Sequence, residues 1–466
     1  MTSTDPIRRN GLYRVLAEHL ERGDTTAVAL TTAALERIDA AAELNAVVAV
    51  NNEEALAQAE HSDALRAAGA AMGPLAGLPA LVKDNTNVHG MRTTHGSLIY
   101  AQAPPADHDD TVVTQLRNAG AIIIGKTNLS EFAMEAIADN LVFGATHNPW
   151  RTGISPGGSS GGSAAALSAG LAAVATGTDG GGSSRIPAAL CGLLGMKPTS
   201  GVLGNRYAQL PVELSSNGPM ATTTADLRVL AEIMLTAQPG DPSCVQGPPT
   251  SWADPVDTVI AVPRIAGSNP LPAAIESAFT AAALAFGESI GRPVTFRDDA
   301  LLDESADETW ATIYSPEDAF TVGWDVIESN RELLDSRVLP WIDQGMRTTM
   351  EQYLRARRDR LGHVLILDEI LGTSNIVLSP TVTTAAYPVA GHPGDLMPID
   401  SFNTAALNLT GHPALSAPAG FVDGIPFGLQ VIGPRGSDLW LIDLAARFEA
   451  QNPWPLVAEG YEVFVP

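Results

Sequence analysis

The residues most able to do chemistry lie between Ser155 and Pro187. The segment opens Ser155-Pro156-Gly157-Gly158-Ser159-Ser160-Gly161-Gly162. It closes Gly177-Thr178-Asp179-Gly180-Gly181-Gly182-Ser183-Ser184-Arg185-Ile186-Pro187, with a small-residue run between. Glycine in a regular element costs roughly 0.5–1 kcal/mol relative to alanine. A chain keeps it at this density where backbone must turn sharply or where N–H groups must converge. Four successive N–H groups, from Gly180 to Ser183, beside a hydroxyl make an oxyanion site with its nucleophile. Such a hydroxyl needs a base. Of the 27 Lys and Arg residues only Lys83, Lys126 and Lys197 are lysine. Arginine serves wherever a surface charge suffices, whereas lysine can also lose a proton. Lys83 ends the apolar run Pro79-Ala80-Leu81-Val82, where desolvation lowers its pKa toward neutrality. The competing reading is a strand-end lysine reaching to water.

Further segments recur in a telling order. They are Leu81-Val82-Lys83-Asp84-Asn85, Gly125-Lys126-Thr127-Asn128 followed by Glu131-Phe132-Ala133-Met134, and the two glycine clusters. Near the end come Asn408-Leu409-Thr410-Gly411-His412-Pro413-Ala414 and Gly424-Ile425-Pro426-Phe427-Gly428-Leu429-Gln430. In order and spacing, most of the chain resembles the amidase signature family. The resemblance implies a Ser–cis-Ser–Lys triad: Ser183 as nucleophile, Ser159 as bridging serine after a cis Gly158–Ser159 bond, Lys83 as base. It implies an oxyanion hole from Gly180, Gly181 and Gly182, and an acyl-side wall from Ala133 and Met134. It also implies hydrolysis of small amides, with aryl esters and carbamates as further substrates, and neither metal nor cofactor. Within the family, the alternative is the A-type subunit of a glutamine-dependent amidotransferase. Outside it, the alternative is a non-catalytic binding protein on the same fold.

Three other patterns compete. Gly157-Gly158-Ser159-Ser160-Gly161 fits the nucleophile elbow of α/β-hydrolases, but Arg151–Pro156 is not the hydrophobic strand an elbow needs. Gly120–Thr127 fits a phosphate loop by spacing, yet the residues between its glycines read as a strand. The nine histidines show no metal-ligand spacing. His95 is read as a hydrogen-bonded loop residue rather than a substrate ligand. Trp310, Tyr314, Phe320 and Trp324 are aromatic candidates that fit either pocket or core.

The elements that must hold these residues alternate. Residues 10–40 predict two amphipathic helices and 53–69 a third; Leu78–Val82 a strand; Thr111–Asn118 a helix; Ala121–Ile124 a buried strand. Ser130–Ala138 is read as a helix start and Ser163–Ala175 as a small-residue helix. Gln238–Pro255 reads as an exposed connection, 270–370 as long acidic helices, Ile376–Ser379 as a strand, Pro388–Pro398 as a loop and 439–450 as a closing helix. The expected fold class is α/β: a single layered domain with a central mixed β-sheet covered by helices on both faces. Within one domain, 1–466, four regions are expected: N-terminal helices (1–70), a signature core (75–235), a variable substrate-side region (240–395) and a C-terminal core (396–466).

The net charge of −25 argues against nucleic acid and anionic membranes as partners. A small-molecule substrate is expected, and a homodimer is left open. Neither an export signal nor an apolar run of membrane-spanning length is visible, so a cytoplasmic location is expected. Cys191 and Cys244 form neither a disulfide framework nor a zinc site; Cys191 reads as a small buried hydrophobe.

Overall fold

The computed structural model describes residues 5–204, 213–236, 238, 241, 243–244, 256–384, 386–389 and 402–465. Most of the Gln238–Pro255 connection and of the Pro388–Pro398 loop lies outside the described residues.

Short, strongly apolar runs become the centre of one sheet. The strands are β1 (Val47–Val50), β2 (Pro79–Lys83), β3 (Ile122–Thr127), β4 (Val174–Asp179), β5 (Leu194–Lys197), β6 (Ser216–Ala221), β7 (Val259–Ala261), β8 (Val294–Phe296), β9 (Ile376–Pro380), β10 (Ala414–Val422) and β11 (Ile425–Ile432). Their order is β1-β3-β2-β4-β6-β5-β10-β11-β9-β7-β8. β2 runs parallel to β3 and β4, and β7 parallel to β8 and β9, while the other pairs are antiparallel. The sheet is therefore mixed, and helices cover both faces as expected. Every residue of β2 and β3 is buried, as a strand covered on both faces requires.

This sheet places the two N-terminal lysines apart. Lys83 pairs with Thr127 and Lys126 with Val82. Neighbours along a strand point to opposite faces, so Lys83 and Lys126 leave the sheet on opposite sides.

Two expectations need correction. The small-residue helix spans only Gly161–Ser168, and Val174–Asp179 is strand β4. Gly170 ends the helical run at φ +61°, against the carbonyl of Glu462, a tertiary contact no local pattern announces. The helix stays glycine-rich for a packing reason: a Cβ on Gly162 would sit 2.4 Å from Asn128 N. The second correction is Ser130–Ala138, which is a single turn at Glu131–Ala133 and then irregular. Phe132 and Ala133 have φ of 51° and 61°, and Phe132 N is bonded to His95 O at 2.8 Å. That distant carbonyl outcompetes a helical partner.

The helices that the sequence pattern anticipated include Leu12–Arg22, Ala27–Ala40, Asn52–Ala67, Thr111–Asn118, Ala273–Ser289, Ser305–Val322, Met350–Leu371 and Asp438–Gln451, whereas Arg185–Cys191, Thr224–Met234 and Ala405–Thr410 had no reading there. No helix among the described residues is long and apolar enough to cross a membrane.

Candidate active site

The site forms where the C-terminal ends of β2 and β4 meet the two glycine clusters. Lys83 ends β2 and is fully buried. Its Nζ lies 2.7 Å from Ser159 Oγ and 2.8 Å from Thr178 Oγ1. Neither partner is charged, and Lys83 has no ion pair among the described residues. Burial pushes its pKa down to about 7, opposed only in part by the Asp179 carboxylate. The amine is thus substantially neutral near neutral pH. Lys126 is equally buried but pairs with Asp84 at 3.0 Å. The two lysines look alike in sequence and differ in having a carboxylate within reach.

Ser159 follows a cis peptide bond from Gly158 and is completely buried. Its neighbour Ser160 donates its N–H to Ser183 O at 3.2 Å. This bond draws the second glycine cluster against the first, beside the Lys83–Ser159 pair. Ser183 is half-buried, unlike the sealed Ser159. The arrangement sets a buried lysine against a buried serine hydroxyl, and the Ser160 N–H links that segment to the more accessible Ser183.

The Gly180–Ser183 loop is braced from beneath by a buried ion pair. Arg185 Nη2 and Nε donate to the two Asp179 oxygens at 2.8 and 2.9 Å, and both side chains are fully buried. Burial alone would raise the Asp179 pKa; the Arg185 guanidinium more than reverses this and holds it at about 2. Arg185 is further bonded to Asn408 Oδ1 (2.6 Å), Gln430 Oε1 (2.9 Å) and Thr404 O (3.2 Å). The two C-terminal motifs therefore serve the site from behind.

Asp179 also takes one N–H from the loop. Gly182 N donates to its Oδ1 at 2.9 Å, so Gly182, expected among the oxyanion donors, has its N–H engaged elsewhere. The N–H groups of Gly180, Gly181 and Ser183 meet no acceptor among the described residues.

Ala133 and Met134 lie on a segment that touches the serine loop. A Cβ on Gly158 would stand 2.1 Å from Ile137 O. Met134 is half-buried against an apolar cluster of Ala319, Val322, Leu334, Val338 and Ile342, with Ile99 and Phe132 beside it. Nearby Arg337 is already held by Asp139 and Asp335.

One residue at the site had no reading in the sequence, and the four aromatic candidates divide. Thr178 is the second partner of Lys83. Trp310 and Tyr314 stack on each other and lie against the glycine loop, whereas Phe320 and Trp324 are 64% and 49% exposed. The available signal was the i, i+4 spacing of Trp310 and Tyr314, which puts both on one helix face. His95 is a loop residue with φ 52°, its N–H on Asp84 O; burial lowers its pKa to about 4. Cys191 is buried, and burial pushes its thiol pKa up.

A family model described as Amidase matches residues 29–442. The A-type subunit of glutamyl-tRNA(Gln) amidotransferase from Roseiflexus sp. (strain RS-1) is 33% identical over 486 aligned residues, covering 94% of this chain and 95% of that protein. An acylamidase of Rhodococcus erythropolis is 32% identical over 448, covering 91% and 92%. A bacterial aryl acylamidase of the amidase signature family superposes with a TM-score of 0.85 at 23% identity, covering 95% and 96%; that likeness concerns the fold.

Proposed function

The chain belongs to the amidase signature family, and from that premise we propose that it hydrolyses the C–N bond of small neutral amides through a serine acyl-enzyme. Aryl esters and carbamates are further substrates of the same site. The observation that carries this reading is the buried, unpaired Lys83 amine 2.7 Å from Ser159 Oγ. In the proposed reaction Ser183 Oγ attacks the carbonyl carbon. Its proton passes to Ser159 as the Ser159 proton passes to Lys83. The negative oxygen is received by the N–H groups of Gly180, Gly181 and Ser183. The relay then runs backward, delivering the proton to the departing nitrogen as the C–N bond breaks. Water repeats the sequence on the ester and frees Ser183.

Neutral acyl groups suit the apolar surroundings of Met134, and Arg337 is already committed to two carboxylates. The competing reading, the A-type component of an amidotransferase, draws on the 33% identity above. The test is hydrolysis of aliphatic amides, anilides and aryl carbamates by the isolated chain, with glutamine in parallel. Ser183→Ala should abolish both turnover and labelling by a fluorophosphonate. Loss of labelling in Ser159→Ala with retention in Ser183→Ala would move the nucleophile to Ser159.

A further inference from the structure

Each glycine of the Gly180–Gly182 loop is pressed by side chains: Gly180 by Tyr314, Gly181 by Trp310, and Gly182 by Thr404 and Ile186. A Cβ on Gly180 would lie 1.9 Å from Tyr314 OH, one on Gly181 2.6 Å from Trp310 Cζ2, and one on Gly182 2.3 Å from Thr404 Oγ1. Only Gly182 has a positive φ, at 127°. Glycine at 180 and 181 thus answers to close approach, not to backbone dihedrals.

Two of these side chains also hold a loop carbonyl. Trp310 Nε1 donates to Gly180 O at 2.9 Å, and Thr404 Oγ1 donates to Gly181 O at 2.6 Å. A trans peptide unit is planar, with its C=O and N–H pointing in opposite directions. Holding Gly180 O from one side therefore aims Gly181 N–H to the other. Holding Gly181 O aims Gly182 N–H at Asp179 Oδ1, 2.9 Å away. That second peptide is clamped at both ends and anchors the loop. Trp310 is itself fixed, stacked on Tyr314 at 5.1 Å between centroids and set against Trp341 at 5.2 Å. Trp341 Nε1 in turn donates to Asp318 Oδ2 at 3.1 Å.

We propose that Trp310 and Thr404 are positioning residues of the oxyanion site. By tethering two successive carbonyls they keep Gly181 N–H turned toward the reacting carbonyl. The inference rests on the amidase reading above. A donor held in place beforehand needs no reorganisation as charge develops. A freed Gly180–Gly181 peptide could rotate and present an oxygen where the transition state needs a hydrogen. Because the effect is confined to the transition state, it should appear in kcat with KM little changed.

The experiment compares the full chain with Trp310→Phe, Thr404→Val and Thr404→Ser. It measures kcat and KM on a neutral anilide, the affinity of a trifluoromethyl ketone that forms an oxyanion, and the melting midpoint. Loss of a whole oxyanion donor costs about a hundred- to a thousandfold in kcat, so a misaimed one should cost about ten- to a hundredfold. Trp310→Phe and Thr404→Val should fall in that range, with KM changed by no more than about twofold and inhibitor affinity falling with kcat. Thr404→Ser keeps the hydroxyl and should recover most of the loss. Unchanged kcat in the folded variants would overturn the proposal. So would a Thr404→Ser as impaired as Thr404→Val, or a loss carried by KM alone. If Trp310→Phe does not fold, the Thr404 pair decides. If the wild-type chain labels with a fluorophosphonate yet hydrolyses no amide, the substrate reading fails, and labelling rates across the variants still decide the positioning.

Discussion

At the scale of single residues, the protonation of Lys83 governs the proposed chemistry. Its neighbours are hydroxyls, so nothing nearby stabilises the ammonium except the more distant Asp179. The neutral amine is the base, so kcat/KM should rise with pH as the group loses its proton at about 7 and then level off. The same shift makes the folded state bind fewer protons than the unfolded chain between about pH 7 and the ordinary value of 10.5. Burying Lys83 therefore costs stability below about pH 7, and that cost is relieved as pH rises across the window. Lys83→Arg keeps a charge and cannot act as a base. It should lose activity nearly as fully as Lys83→Ala, as steady-state assays on one anilide would read out. Near-normal turnover in Lys83→Arg would remove Lys83 from the relay.

At the scale of elements, two segments divide the labour. The Asp179–Arg185 pair ties the end of β4 to the C-terminal motifs through Asn408 and Gln430. Removing one partner of a buried pair strands the other charge and costs about 3–5 kcal/mol. Asp179→Ala should accordingly lower the denaturant midpoint and, by releasing Gly182 N–H, lower kcat as well. An unshifted midpoint would mean the brace is dispensable. The Asp179 pKa is lowered, so its share of the stability is present above the usual carboxylate range and is lost as pH falls toward 2. The Glu131–Asn140 segment plays the other part: it meets the serine loop at Ile137 and packs Met134 against its apolar cluster. Met134→Ala should improve kcat/KM for bulky acyl groups relative to small ones by about 1–3 kcal/mol per methylene-sized change. Unchanged substrate ranking with a clearly lower melting temperature would assign Met134 to packing alone.

At the scale of the whole molecule, one mixed sheet, of eleven strands among the described residues, carries the site at its third and fourth strands, β2 and β4. Regions far apart in the chain converge there: β2 brings Lys83, the segment before the helix Gly161–Ser168 brings Ser159, the loop after β4 brings Ser183, and the helix Ser305–Val322 brings Trp310. The net charge of −25 makes contact with a phosphate backbone unfavourable. Purified alone, the chain should hydrolyse a neutral anilide and leave the mobility of tRNA unchanged in a native gel at ordinary salt. Activity confined to glutamine, and appearing only with co-purified proteins, would favour the amidotransferase reading instead.

The sequence by itself determined the chemical parts. Gly177–Pro187, Ser155–Gly162 and the scarcity of lysine are local facts, and they name the serines, the glycine loop and a candidate base without coordinates. The buried strands were legible for the same reason, since Ile122-Ile123-Ile124 admits few other fates. The tertiary structure decided everything that depends on partners distant in the chain. Lys83 and Lys126 end similar runs, and only the carboxylate of Asp84 beside one of them tells paired from free. Gly182 reads like its neighbours until Asp179 takes its N–H. Trp310 and Thr404 reach the loop across 130 and 223 residues of sequence. Ser130–Ala138 reads as helix until His95 O captures the N–H of Phe132. Burial and hydrogen-bond partnership are sums over the packed neighbourhood, whereas sequence periodicity reports only the few residues on either side.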